Sequence, residues 1–265
     1  MKKMIKSVLV VVVAMTMSLS AVETGNVNVK TDVSMLKMFK LAMSSRVMIQ
    51  QVAKAYMYIG NDIATTKAEK ELTKSLKQFD AKLKKLNNSI SNPKAKNLLL
   101  FIESNREDIG DLLKEPYSLE NAQEIIDLAE AISEGSFSIA KTFEKKKGGT
   151  KLGFKGQRYH MIEIAKYYIA YKSGIKDKNT VKHMKHSVNA FQKGLDLMKS
   201  YPENTPEMNR LVNKVEKDWK IVHQFYLDIE DGDLPLIVYD TSKKIEKKMQ
   251  KYITTLIKNK SKKKK

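Results

Sequence analysis

Apolar residues recur every three or four positions along most of this chain, which is the period of an amphipathic α-helix rather than of a strand. The first such stripe covers residues 36–57, and a second one predicts a helix from about Thr66 to Ser89. The stripes consist of Leu36, Phe39, Met43, Ile49, Ala53, Tyr56 and Met57, and of Leu72, Leu76, Phe79, Leu83 and Leu86. The pattern predicts long helices that each bury one face.

Turn-forming residues divide each half of the chain into four helical segments. The breaks fall at Gly60-Asn61-Asp62, Asn92-Pro93, Glu115-Pro116, Ser173-Gly174, and residues 201–206 and 230–235. A polar connector with two glycines, residues 145–150, lies between the halves. Short connections between amphipathic helices favour antiparallel packing. We therefore predict an all-α fold of two tandem antiparallel four-helix-bundle units, at residues 32–145 and 152–258.

The two halves share residues in a constant register, as an internal repeat does. Arg46, Ala53-Lys54, Tyr56, Phe79 and Leu83 recur 112 positions later as Arg158, Ala165-Lys166, Tyr168, Phe191 and Leu195. With one residue inserted, Asn92-Pro93, Leu98, Ile102, Glu103 and Ile109 match Asn204-Thr205-Pro206, Leu211, Val215, Glu216 and Val222. The preserved order indicates an old duplication.

The N-terminus has the three regions of a secretory signal peptide. Lys2, Lys3 and Lys6 precede an apolar run from Val8 to Met15, and small residues then predict cleavage after Ser20 or Ala21. We assign residues 1–21 to the signal peptide and expect a periplasmic protein. An uncleaved anchor is the alternative, although the apolar run is shorter than the roughly 20 residues that span a bilayer.

Composition narrows the chemistry further. The chain has no cysteine, which excludes disulfides and thiolate metal sites, and its formal net charge is +19. Residues 259–265 form a lysine-rich tail, in which Lys262, Lys263, Lys264 and Lys265 are expected either to contact an anionic membrane surface or to be simply solvated. No nucleic-acid-binding motif accompanies the positive charge, so we do not expect a nucleic-acid partner.

Several short motifs of the second half occur in the order found in a known sensor family. They are Gly156-Gln157-Arg158, Ala165-Lys166-Tyr167-Tyr168, Phe191, Asn204-Thr205-Pro206 and Trp219. In this order they resemble the PilJ-type domain, the N-terminal domain of type IV pili methyl-accepting chemotaxis transducers. The first half is similar in Arg46, Ala53-Lys54, Phe79 and Asn92-Pro93.

The resemblance implies a four-helix-bundle sensor domain in each half, distantly like the periplasmic domains of nitrate and nitrite sensor kinases. In those domains arginines of the first helix bind the anion at a dimer interface. Gln51 and Glu163 stand where the family has a second arginine. No kinase or methyl-accepting segment follows the motifs, so we expect signalling through a separate, unidentified partner protein.

Arg46 and Arg158 are the candidate ligand-binding residues, because each falls among apolar positions of its helix. Phe39, Ala53 and Met57 lie within about 20° of Arg46 around a helix with 3.6 residues per turn. A guanidinium in such a place needs an anion or carbonyl groups. Three alternatives remain open: a carboxylate of a neighbouring helix, a small anion such as nitrate, nitrite or a carboxylate, and an arginine that reaches solvent.

Three neutral side chains are expected to supply further hydrogen bonds to such an anion: Ser45, Gln50 and Gln157. If the two copies packed face to face, they would bring Arg46 and Arg158 together. His183 and His186 have a spacing that can hold a metal, but with no third ligand we interpret them as surface residues. No catalytic motif is present. We therefore expect neither an enzyme nor a bound cofactor or metal ion. A structural or adaptor module without any ligand is the alternative function.

Overall fold

The computed structural model describes residues 29–144, 156–230 and 234–262, and the side chains of residues 35–259 within these ranges. The described residues form eight α-helices and no strand, which confirms the all-α class. The helices are α1 (Val29–Gly60), α2 (Thr65–Asn87), α3 (Pro93–Leu112), α4 (Leu119–Thr142), α5 (Gln157–Lys172), α6 (Lys178–Lys199), α7 (Pro206–Leu227) and α8 (Pro235–Lys262). The predicted signal peptide, the connector at 145–150 and the side chains of Lys262 to Lys265 lie outside this description.

Several helices begin where the sequence supplies capping side chains. Asn92 accepts a hydrogen bond from the Ala95 amide, and Pro93 occupies the first turn of α3. Ser118 caps α4, and Thr205 caps α7 ahead of Pro206. Such caps satisfy amides that have no partner within the helix, and each stabilises it by about 1 kcal/mol. The predicted breaks are therefore the observed ones.

The helices pack in a repeated order. In the first half α1 packs against α2 and α4, and α3 packs against α2 and α4. In the second half α5 packs against α6 and α8, and α7 packs against the same two helices. The halves meet where α1 packs against α5, and we call this contact the α1–α5 seam. Buried apolar residues of both halves belong to one continuous core.

The two seam helices differ from the amphipathic pattern that the sequence predicts. Residues 48–58 of α1 and residues 161–170 of α5 are buried on every side. A helix surrounded on all sides by other helices has no face left for solvent, so its polar residues are buried with the rest. These polar residues include Gln50, Gln51, Lys54, Glu163 and Lys166.

No helix within the described ranges combines the length and the apolar character needed to cross a bilayer.

Candidate functional site

Lys54 lies at the centre of a buried ion-pair network on one side of the seam. Its ammonium group is 2.9 Å from a Glu246 carboxylate oxygen of α8 and 3.1 Å from a Glu71 carboxylate oxygen of α2. The Gln51 amide donates a hydrogen bond of 2.9 Å to the other oxygen of Glu246. Because Glu246 belongs to the second half and Lys54 to the first, this ion pair joins the two halves.

Two further cations approach the same carboxylates from the solvent side. Lys243 is 2.7 Å from a Glu71 oxygen and 3.8 Å from a Glu246 oxygen. Arg158 places its Nε 3.7 Å from Glu246, and its side chain is 29% exposed. Three cations therefore share two carboxylates, and the network has one positive charge in excess.

The pKa values of the network reflect this crowding. Burial opposes the charge on Lys54, yet Glu246 and Glu71 outweigh it and raise the pKa of Lys54. Burial likewise opposes the charge on Glu71, but Lys54 and Lys243 hold the pKa of Glu71 below its usual value. For Lys243, burial and the nearby charge of Lys54 lower the pKa. An additional anion near Lys243 would relieve this repulsion.

A groove with a volume of about 710 Å³ opens above the network, between α2 and α8. Gln51 of α1 and Arg158 of α5 contribute to its floor. Its lining contains seven cationic side chains and three carboxylates. The cations are Lys67, Lys70, Lys74, Arg158, Lys243, Lys244 and Lys247, and the carboxylates are Glu71, Asp240 and Glu246. We call this feature the α2–α8 groove.

Lys166 forms a second buried network on the other side of the seam. Its ammonium group has no exposed surface, donates a 2.6 Å hydrogen bond to the Gln50 side chain and pairs with Glu130 of α4. The Tyr167 hydroxyl also donates to Glu130, at 2.7 Å. Burial opposes ionisation of Glu130, but Lys166 outweighs it and lowers the pKa of that carboxyl. This pair again joins the two halves.

The predicted arginines take different partners. Arg46 donates a 3.0 Å hydrogen bond from Nε to the Ser133 hydroxyl, and its guanidinium lies 3.7 Å from the ring centre of Tyr159 and 4.8 Å from that of Phe137. Among the described residues it forms no ion pair within 4.0 Å. Arg158 instead reaches Glu246 and the groove. The two guanidinium groups therefore share none of these partners.

The three neutral candidates do not line the groove. Ser45 donates to the Leu41 carbonyl of its own helix, and Gln50 accepts from Lys166. Gln157 donates at 3.4 Å to the Ala190 carbonyl and packs against Gly194, where any larger side chain would collide with it. The ligand-binding role of these residues and of the two arginines stays a prediction.

Sequence reasoning missed the lysines. Lys54 and Lys166 were visible as the second residue of a repeated Ala-Lys pair. Two lysines at one register, both inside long apolar stripes, are a signal of paired buried charges. Their partners come from distant helices, so only the packing identifies them.

His183 and His186 are exposed as predicted. Within the described part of the chain no three His, Asp or Glu residues form a group suited to a metal.

Comparisons of this chain with known protein families, curated proteins and solved structures found no match.

Proposed function

We propose that this protein is an exported, non-catalytic sensor-like binding protein that captures an anionic ligand in the α2–α8 groove and acts through a separate partner protein. The observation that carries the proposal is the charge of the groove, whose seven cations exceed its three carboxylates. A concave site lined by one sign of charge concentrates ligands of the opposite sign and raises their association rate. Arg158 adds a planar fork that suits carboxylate, nitrate or nitrite.

The architecture that we propose for this sensor is a pair of tandem PilJ-like four-helix bundles. Equivalent hydrogen bonds support it. The Ser75 hydroxyl donates to Gln51 between α2 and α1, and the Ser187 hydroxyl donates to Glu163 between α6 and α5. Both serines and both acceptors are related by the 112-residue offset.

The groove network suggests how a bound anion acts on the rest of the protein. A ligand in the groove competes with Glu71 and Glu246 for Lys243 and Arg158. Those two carboxylates are also the partners of Lys54 at the α1–α5 seam. Ligand binding then shifts α8 relative to α1, and a partner protein reads the altered surface.

Isothermal titration calorimetry with nitrate, acetate and inorganic phosphate tests the proposal. The repeat supplies a matched pair of variants, because Arg158 lines the groove whereas Arg46 lies against Tyr159. We expect Arg158→Gln to weaken binding of a bound anion by about tenfold, as for a lost charge-assisted hydrogen bond. Arg46→Gln should leave the affinity unchanged. Equal effects of both variants, or no binding of any anion by the wild type, contradict the proposal.

The alternative function is a structural or adaptor module at the cell envelope. It is favoured by one observation: Lys54 and Lys166 already have carboxylate partners within the chain. Under this alternative none of the anions binds, and the groove contributes only to the stability of the α1–α8 contact.

We also propose that the lysine tail holds the exported protein near an anionic membrane surface. Each lysine close to such a surface contributes about 1 kcal/mol. Co-sedimentation with vesicles rich in anionic lipid should decrease when residues 258–265 are deleted. Unchanged co-sedimentation of the shortened chain would contradict this role.

A further inference from the structure

The spacing of cations along the α2–α8 groove points to a linear ligand. Lys67 pairs with Asp240 across the groove, and farther along the same walls Lys243 pairs with Glu71. Because both contacts advance in the same direction, α2 and α8 run parallel. Their lysines therefore form two facing rows along one axis.

Four of the wall lysines have no carboxylate within 4.0 Å in the described ranges. They are Lys70 and Lys74 on α2, and Lys244 and Lys247 on α8, and all four are exposed. With a rise of 1.5 Å per residue, Lys70 and Lys74 are about 6 Å apart along the helix, and Lys244 and Lys247 about 4.5 Å. The uncompensated charge of the groove is therefore spread along its length.

The cations at the bottom of the groove already have carboxylate partners. Glu246 lies within 4.0 Å of Lys54, Lys243 and Arg158, and Glu71 lies within 4.0 Å of Lys54 and Lys243. Only one positive charge remains in excess there. A single small anion bound at this level would contact only one end of the cationic rows. A ligand with several anionic groups would reach the network and the free lysines together.

The volume of the groove also favours a ligand larger than a single small anion. Its volume of about 710 Å³ lies within the range of sites for drug-sized ligands. A water molecule takes about 30 Å³, so an anion of four heavy atoms would fill only a small part of the groove.

We infer that the α2–α8 groove binds a linear ligand that carries two or more anionic groups, carboxylate or phosphoryl, about 5 Å apart. This inference rests on the proposed function and narrows it from a single small anion to a polyanion. An extended acidic peptide presents side chains on one face at intervals of about 6.6 Å, which is close to the spacing of the lysines.

The experiment compares anions of increasing length by isothermal titration calorimetry on the whole chain. One arm uses acetate and tetraglutamate, and the other uses inorganic phosphate and tripolyphosphate, so the arms distinguish carboxylate from phosphoryl ligands. In at least one arm we expect the long anion to bind about 30-fold more tightly than the short one, since each additional ion pair contributes to the affinity. Tetraglutamate and tripolyphosphate should also show the steeper loss of affinity with salt.

Two double variants remove the free lysines of one wall each: Lys70→Gln with Lys74→Gln, and Lys244→Gln with Lys247→Gln. Each should weaken binding of the long anion by about tenfold and that of the short anion by less than about threefold. The matched control is Lys214→Gln with Lys217→Gln, which removes the same charge from exposed positions of α7 outside the groove. It should change neither affinity by more than about twofold, since surface charges at a distance are screened.

The outcomes separate the inference from the proposed function. Equal affinity for short and long anions, with Arg158→Gln weakening both, overturns the linear ligand and leaves the anion-binding groove. If the control variant weakens the long anion as much as the wall variants do, the binding is unspecific attraction to a basic protein, and the inference is overturned. Absence of binding by every anion overturns both.

Discussion

The two sides of the α1–α5 seam are built on the same helix positions but carry different charges. On one side α2 and α8 form the basic groove, and on the other side α6 and α4 occupy the equivalent places. On α6, Lys182 and His186 stand where α2 has Lys70 and Lys74. On α4, Glu130, Ala131 and Glu134 stand where α8 has Lys243, Lys244 and Lys247. The equivalence of α4 and α8 is visible in their shared pattern of buried residues, such as Ile132 with Ile245 and Ser133 with Glu246.

This difference shows that the basic groove is not a by-product of a lysine-rich composition. The same composition leaves the α4–α6 side with two glutamates where the α8 wall has lysines. The difference also explains why the two arginines have different partners. Arg46 faces Ser133 and Arg158 faces Glu246, so only the second one belongs to a network of charges. Different residues at equivalent positions of α4 and α8 therefore give the two sides different electrostatics.

The largest effect that separates the two sides is expected from Glu246→Ala. It leaves Lys54, Lys243 and Arg158 with one carboxylate, and an uncompensated buried charge costs about 3–5 kcal/mol. Ser133→Ala, at the equivalent position, removes the neutral hydroxyl that bonds to Arg46 and Tyr159 and should cost about 1 kcal/mol. Urea denaturation measures both. Similar losses for the two variants would contradict the difference between the sides.

A smaller effect is expected from Lys166→Met, which leaves Glu130 without its ammonium partner. The cost should be about 2 kcal/mol, because the Glu130 side chain is 23% exposed and keeps its hydrogen bond from the Tyr167 hydroxyl. Replacing both residues, with Lys166→Met and Glu130→Leu, should recover most of the loss, since a buried ion pair is often no more stable than apolar groups of similar size. The free energy of unfolding of the single and double variants tests this. A double variant as unstable as Lys166→Met would contradict it.

Acid is expected to weaken both sides of the seam. The pKa values of Glu71 and Glu130 are lowered from 4.5 in the folded protein, chiefly because Lys54 and Lys166 outweigh the effect of burial. A carboxylate with a lowered pKa stabilises the fold above its unfolded pKa, and this stabilisation disappears as the pH falls through the folded value. The urea midpoint should therefore fall as the pH decreases below about 5. The Glu71→Gln and Glu130→Gln variants should show a weaker dependence; a profile identical to that of the wild type would assign it to other groups.

The smallest effect concerns the equivalent serines. Ser187 donates a 2.7 Å hydrogen bond to Glu163, whereas Ser75 donates one of 3.4 Å to Gln51. Hydrogen bonds to charged groups contribute more than those between neutral groups, so Ser187→Ala should cost about 1.5 kcal/mol and Ser75→Ala about 0.5 kcal/mol. Thermal unfolding of the two variants gives the order of the losses. The reverse order would contradict this ranking of the two hydrogen bonds.

Local features of the fold could be predicted from the sequence. Pro93, Ser118 and Pro206 mark helix starts because their chemistry acts within one turn, and the predicted helix from Thr66 to Ser89 is observed as Thr65–Asn87. The groove could not be predicted in this way. Its two walls belong to opposite ends of the chain, and nothing in the local pattern of α2 or α8 indicates which helix lies beside it.

The arginines illustrate the same limit. The helical period places Arg46 among apolar residues, and the structure surrounds its guanidinium with the rings of Tyr159 and Phe137. The aromatic faces come from α5 and α4, which the period of α1 cannot reveal. The helical period therefore predicts that the charged group lies among apolar side chains of its own helix. Only the packing of the helices determines which residues of other helices surround it.

The ion pairs that join the two halves, Lys54–Glu246 and Lys166–Glu130, have a consequence for folding cooperativity. Lys54 takes a carboxylate from α8, and Lys166 takes one from α4, so melting of one half would remove an ion-pair partner from a seam lysine of the other half. Melting of either half alone is therefore unfavourable for the half that stays folded. Differential scanning calorimetry should show a single endotherm for the whole chain, and either half expressed by itself should bind hydrophobic dyes through its unprotected seam helix.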